Sequence, residues 1–129
     1  MVPVLEKCEE LNFLGLCRKV RDLALRTRNK QLNPDELQGS TFSISNFGVF
    51  NATMGTPIIN QPNVGILGVG VIKKRPVVIE TKEGDTIGIK SMMVLSLGFD
   101  HRLIDGAGGS QFVDTVRENL ENMNLETLI

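Results

Sequence analysis

The chain has no tryptophan, no tyrosine, two cysteines and a single histidine in 129 residues. Cys8 and Cys17 have no second pair and no cluster of histidines near them, which excludes a disulfide framework and leaves no metal site to propose. They read as reduced thiols from an intracellular compartment. Lys and Arg number 14 against 15 Asp and Glu, a net charge of −1. No basic field therefore invites nucleic acid or a membrane surface, and the expected partners are small molecules or other proteins. No apolar run approaches the roughly 20 residues of a membrane helix, and no charged-then-apolar signal segment opens the chain. Repeats, heptads and low-complexity linkers are absent too. What remains is enough apolar material, 41% of the residues, to bury the core of one domain.

Helical periodicity starts after Asn12, a predicted N-cap. Phe13, Leu16, Cys17, Val20, Leu23 and Ala24 share one face of a helix reaching about Asn29. Arg18, Lys19, Arg21, Arg26, Arg28 and Lys30 occupy the rest as a solvated face. Asn33-Pro34-Asp35-Glu36 places a cap, a proline and acidic residues at the start of a short second helix ended by Gly39. Thr41 to Asn46 alternates polar and apolar residues as a half-buried strand does. Residues 47 to 63 carry Gly48, Gly55, Pro57 and Pro62 and read as a long loop, a class that is often functional.

Val64 to Ile72 suits a strand covered on both faces. Lys73-Lys74-Arg75-Pro76 is expected to interrupt it, Val77 to Glu80 to resume, and Glu83-Gly84-Asp85 to turn a hairpin. Ser91 to Gly98 forms the last strand, and Gly106 to about Asn122 a closing helix with Phe112, Val113, Val116 and Leu120 facing inward. The order argues for an α+β fold, a mixed sheet with helices packed on it.

The lone imidazole, His101, stands just past that last strand in Asp100-His101-Arg102-Leu103-Ile104-Asp105-Gly106. It is the one side chain here that exchanges protons near neutral pH without a strongly shifted pKa, so it centres any catalytic reading. From the residues alone, a surface or core histidine followed by an ordinary helix cap at Asp105 is the commoner arrangement.

Three blocks carry a resemblance: Gly39 to Gly48 (GSTFSISNFG), Gly55 to Pro62 (GTPIINQP) and Asp100 to Gly106 (DHRLIDG). In this order and spacing they resemble the catalytic domain of the dihydrolipoamide acyltransferases, the E2 components of 2-oxo acid dehydrogenase complexes, in the superfamily of chloramphenicol acetyltransferase. The resemblance implies that residues 1–129 are the C-terminal part of that domain, a CoA-dependent acyltransferase fold in part. It implies acyl transfer between dihydrolipoamide and coenzyme A, with the lipoamide on a lipoyl domain outside this chain.

Read residue by residue, the resemblance makes His101 the base on the attacking thiol and Ser45 the donor to the tetrahedral oxyanion. Asp105 holds the loop and helix start that orient His101, and Ser45, Asn46, Gly70 and Ile72 line the coenzyme A channel. Arg102 is read as a local ion-pairing residue with no assigned chemistry, and Lys73, Lys74 and Arg75 are read as a solvated cluster. The resemblance further implies a trimer-based homo-oligomer sharing each site between chains, E1 and E3 partners reached through regions outside this chain, and a bacterial cytoplasm or mitochondrial matrix. The competing readings are a catalytically incomplete assembly module and a serine hydrolase using Ser45, His101 and Asp105. The second lacks the Gly-x-Ser-x-Gly elbow such a nucleophile needs.

Overall fold

The computed structural model describes residues 2–128. They fall into two units: one holds the chain up to Thr41 together with the segment from Asp114 on, the other runs from Phe42 to Val113.

In the first unit, α1 spans Phe13–Arg28. The Asn12 carboxamide accepts from the Gly15 amide at 2.8 Å, and Arg26 and Arg28 complement the dipole in the last turn. Its predicted apolar face is only partly covered: Leu23 is buried, but Cys17, Val20 and Ala24 are exposed. Arg26 departs from the solvated basic face by bridging Asp22 at 2.8 Å and Glu36 at 2.7 Å. The expected second helix is a single 3-10 turn, Pro34–Leu37, with its capping box in place. Gly39 follows at φ +83°. Val4 ties the N-terminal segment to this turn by donating to the Glu36 carbonyl at 2.7 Å.

In the second unit, β1 (Ser43–Asn46), β2 (Gly65–Val69) and β5 (Leu95–Phe99) make a three-stranded mixed sheet in the order β1-β2-β5. β1 is parallel and β5 antiparallel to the central β2. β2 is buried from Gly65 to Gly68, as its unbroken apolar run requires. It stops at Val69, however, and Val64 and Ile72, at the limits of the predicted strand, are exposed.

The phase of β1 departs from the apolar-inward expectation. Ser43 and Ser45 are half-buried while Ile44 is 66% exposed. The serines share their face with Ile66 and Gly68, and loop 47–63 lies over that face. The Phe47 ring occupies the space above Gly55 and Gly68. Phe47 also donates its amide to the Val69 carbonyl at 3.1 Å, and Val71 to Ala52 at 2.9 Å. The Ser96 hydroxyl donates to the Gly55 carbonyl at 2.7 Å. This loop is pinned to the sheet rather than free above it.

β3 (Lys73–Thr81) and β4 (Gly84–Met92) form a separate two-stranded ribbon closed at Gly84, whose φ is +122°. The expected interruption at Pro76 does not occur. In a two-stranded ribbon a missing N–H can face outward, so proline costs no ladder bond. The expected strand Ser91 to Gly98 is instead divided between two pairings: Met92 pairs with Lys73 in the ribbon and Leu95 with Val69 in the sheet.

α2 (Gly106–Glu121) begins where predicted. Of its expected inward residues, Val113 and Val116 are half-buried, whereas Phe112 and Leu120 are 44% and 41% exposed. Phe112 stacks at a tilt on Phe42, centroids 5.7 Å apart.

Candidate active site

His101 lies in the short turn between β5 and α2 and is exposed. Three local features build that turn. The Asp105 carboxylate accepts the Gly108 amide at 2.7 Å, which caps α2 and bears out the helix-cap reading of this residue. Leu103 and Ile104 both donate to the Asp100 carbonyl at 3.0 Å. Asp100 and Arg102, on either side of the histidine, form a two-pronged ion pair: Arg102 Nε to one carboxylate oxygen at 2.9 Å and a terminal guanidinium nitrogen to the other at 2.8 Å. The Arg102 amide adds a third bond to Asp100 at 3.0 Å. The guanidinium beside it holds the Asp100 carboxyl down at about 2, with the amide bond as the next contribution.

The imidazole rests against Phe99, centroids 5.5 Å apart and planes at 39°. It forms no hydrogen bond to another described residue. Phe99 in turn packs on α2 at Gly109, where a Cβ would fall 2.5 Å from the ring. Only glycine lets the helix come that close.

Ser45 stands elsewhere on the sheet. Its row contains Gly68 and Ser96, on the half-buried face under loop 47–63, and its hydroxyl has no partner among the described residues. Phe99 is paired with Gly65, three rows along and two strands across. At about 3.3 Å per residue and about 4.8 Å per strand, that is roughly 10 Å in each direction. Within one chain the Ser45 hydroxyl and the His101 ring are therefore out of hydrogen-bonding reach, and Asp105 spends its carboxylate on the helix cap. A Ser45-His101-Asp105 triad is not assembled in this chain.

Of the other candidates, the Asn46 carboxamide accepts the Gly48 amide at 2.9 Å and closes the turn after β1. Gly70 donates to the Val94 carbonyl at 3.0 Å, and the Thr53 carbonyl fills the space a side chain would need there. Ile72 is 65% exposed, and Lys73, Lys74 and Arg75 are exposed at the base of the ribbon. Among the described residues no group of three or more His, Cys, Asp or Glu could hold a metal ion, and no helix is long and apolar enough to cross a membrane. Sequence reasoning missed Asp100. An acid and a base immediately flanking the only histidine were the available signal.

The comparisons with known proteins bear on the same residues. The family model for the 2-oxoacid dehydrogenases acyltransferase catalytic domain matches residues 1–128. The acetyltransferase component of the Corynebacterium glutamicum pyruvate dehydrogenase complex is 41% identical over 98% of this chain, which spans 19% of that protein. The succinyltransferase component of the Bacillus subtilis 2-oxoglutarate dehydrogenase complex is 39% identical over 95% of the chain, which spans 28% of it.

A probable dihydrolipoamide acetyltransferase from Listeria monocytogenes superposes with a TM-score of 0.90 at 34% identity, covering 98% of this chain and 52% of its own. The Azotobacter vinelandii dihydrolipoamide acetyltransferase, solved to define the role of one serine, one histidine and one asparagine in catalysis, superposes at 0.84 and 35% identity over 95% of this chain and 49% of its own. The chain thus spans less than a third of the length of these curated relatives and about half of the solved catalytic cores. With three sequence blocks, a mixed sheet and a family model in agreement along its length, the chain belongs to the acyltransferase catalytic-domain family of the 2-oxoacid dehydrogenases.

Proposed function

We propose that this chain is the C-terminal part of a dihydrolipoamide acyltransferase catalytic domain, moving an acyl group between dihydrolipoamide and coenzyme A. The observation that carries the reading is the placement of His101: the only imidazole in the chain, exposed and held on a turn capped by Asp105. In the A. vinelandii relative the histidine and asparagine under study stand four positions apart, the spacing of His101 and Asp105 here.

A thiol with pKa near ~8.5 is mostly protonated at neutral pH and needs a base to become a nucleophile. His101 takes that proton as the sulfur attacks the thioester carbonyl. The tetrahedral oxyanion accepts a hydrogen bond from the Ser45 hydroxyl. On collapse the carbon–sulfur bond to the departing thiol breaks and His101 returns the proton to it. Asp105 is a positioning residue throughout. Asn46, Gly70 and Ile72 contribute to the coenzyme channel, and the lipoyl group arrives on a separate domain.

The distance between Ser45 and His101 within one chain supports a site shared between copies, His101 from one and Ser45 from its neighbour, in a trimer-based assembly. E1 and E3 components of the complex are its partners, in bacterial cytoplasm or mitochondrial matrix. The acyl group stays open, because acetyl- and succinyltransferases match almost equally well.

The test is acyl transfer from acetyl-, succinyl- and branched acyl-CoA to dihydrolipoamide. His101→Ala is expected to lower the rate by about 10²–10⁴ with the fold intact, and Ser45→Ala to lower kcat about 10²-fold with little change in KM. Mixing the two inactive variants and allowing subunit exchange should restore about one quarter of the sites if each is shared between neighbours. A fully active His101→Ala protein overturns the mechanism. A monodisperse monomer with undiminished turnover overturns the shared site, and a folded, assembled chain without transfer leaves the assembly-module reading.

A further inference from the structure

We infer that Asp100 and Arg102 act as a positioning pair for His101, a clamp that fixes the backbone on both sides of the imidazole so that its ring stays seated on Phe99. The inference deepens the reading of His101 as the base and rests on it for its consequence in catalysis, though not for its geometry.

An exposed side chain on a turn is free to populate several rotamers, and each unproductive one lowers the fraction of molecules ready to accept a proton. His101 has no hydrogen-bond partner of its own among the described residues, so its orientation must come from its surroundings. Two restraints are present. One is the Phe99 ring, itself seated against α2 at Gly109. The other is the triple attachment of Arg102 to Asp100, through its amide, its Nε and a terminal nitrogen, which closes a small ring of covalent and hydrogen bonds around residue 101.

The carboxylate end of this pair is well shielded, 20% exposed, whereas the guanidinium is 80% exposed. An ion pair so open to solvent contributes little to global stability. Geometry is what a bidentate Arg–carboxylate pair supplies beyond charge, because the planar fork fits both oxygens at once. A pair of this kind spanning the only histidine restrains the residue between its members far more than it stabilises the domain.

The experiment uses the singularity of the histidine: one residue gives one set of imidazole proton resonances, assigned by their loss in His101→Ala. Contact with Phe99 shifts those resonances by ring current. In Asp100→Ala they are expected to move toward the positions of an unstructured peptide, while Arg102→Lys, which keeps the charge and loses the fork, gives a partial shift. Asp100→Asn, which keeps the acceptor for the Arg102 amide, should recover part of the native position. The unfolding midpoint is expected to change by only a few degrees in all three.

In the transfer assay Asp100→Ala should lower kcat about tenfold with KM for the acyl-CoA unchanged. Native imidazole shifts in Asp100→Ala overturn the clamp whatever the activity. Shifted resonances together with undiminished transfer in His101→Ala overturn the catalytic role of His101 and leave the clamp standing as a structural device.

Discussion

The three-stranded sheet and the β3–β4 ribbon are made of the same kind of residue and meet opposite fates. In β2, Ile66 and Leu67 are each 8% exposed; in the ribbon Val78, Ile87 and Ile89 are 67%, 79% and 75% exposed. β-branched and aliphatic side chains favour strands in both, but a strand buries them only where a second layer covers its face. Loop 47–63 and the start of α2 supply that layer for the sheet. No part of the second unit supplies it for the ribbon, so apolar content reports the capacity for burial and the partner decides whether burial occurs.

The contrast is broken most severely at glycine. Gly70→Ala would push a Cβ to 2.1 Å from the Thr53 carbonyl oxygen, a backbone atom that cannot step aside without releasing the loop. A loss of about 3 kcal/mol or more is expected by denaturant unfolding. Gly88→Ala in the ribbon meets only the tip of Ile79, at 2.3 Å, and that side chain can rotate away. Its cost should stay below about 1 kcal/mol. Equal losses for the two would mean that the ribbon is as tightly held as the sheet.

Side-chain truncation gives the next largest effect. Leu67→Ala removes a buried side chain from the central strand and should cost about 2–5 kcal/mol. Ile87→Ala removes one that water already reaches, and its unfolding free energy should stay within about 0.5 kcal/mol of the parent.

The smallest effect is a pH dependence confined to the turn beyond β5. Asp100 titrates at about 2 because Arg102 holds it ionised, below the usual carboxylate range. A depressed folded value means that the contribution is complete above roughly pH 4 and is lost as pH falls towards 2. The side-chain carboxyl carbon resonance of Asp100 should accordingly stay at its ionised position from neutrality down to about pH 4 and titrate below it. Arg102→Ala should move that change up to the ordinary carboxylate range.

The same contrast explains what the sequence discloses. α1 and α2 begin where Asn12 and Asp105 announce them, because a cap is a local interaction between a side chain and an amide two or three residues on. The hairpin is legible from Gly84 for a similar reason. Pro76 misleads because its cost depends on whether a neighbour strand needs its N–H, and that is a tertiary fact. The break at Met93 and Val94 leaves no trace, since the chain changes pairing partner without changing its apolar character. His101, Asp105 and Ser45 were visible as residue types in a familiar order. Their separation across the sheet was not, because it follows from strand order and register, and neither did the sequence reading single out Asp100.

The ribbon joins the sheet through two short connectors, Gly70–Ile72 and Met93–Val94, and these are fastened to each other by the Gly70 amide on the Val94 carbonyl. Mechanically this is a lever held by two pins, that bond and the Val71 amide on the Ala52 carbonyl. Nine residues of strand at about 3.3 Å each give it an arm of roughly 30 Å. A load on the arm is felt at Gly70 and Val71, where the Thr53 carbonyl of the loop above Ser45 leaves Gly70 no slack.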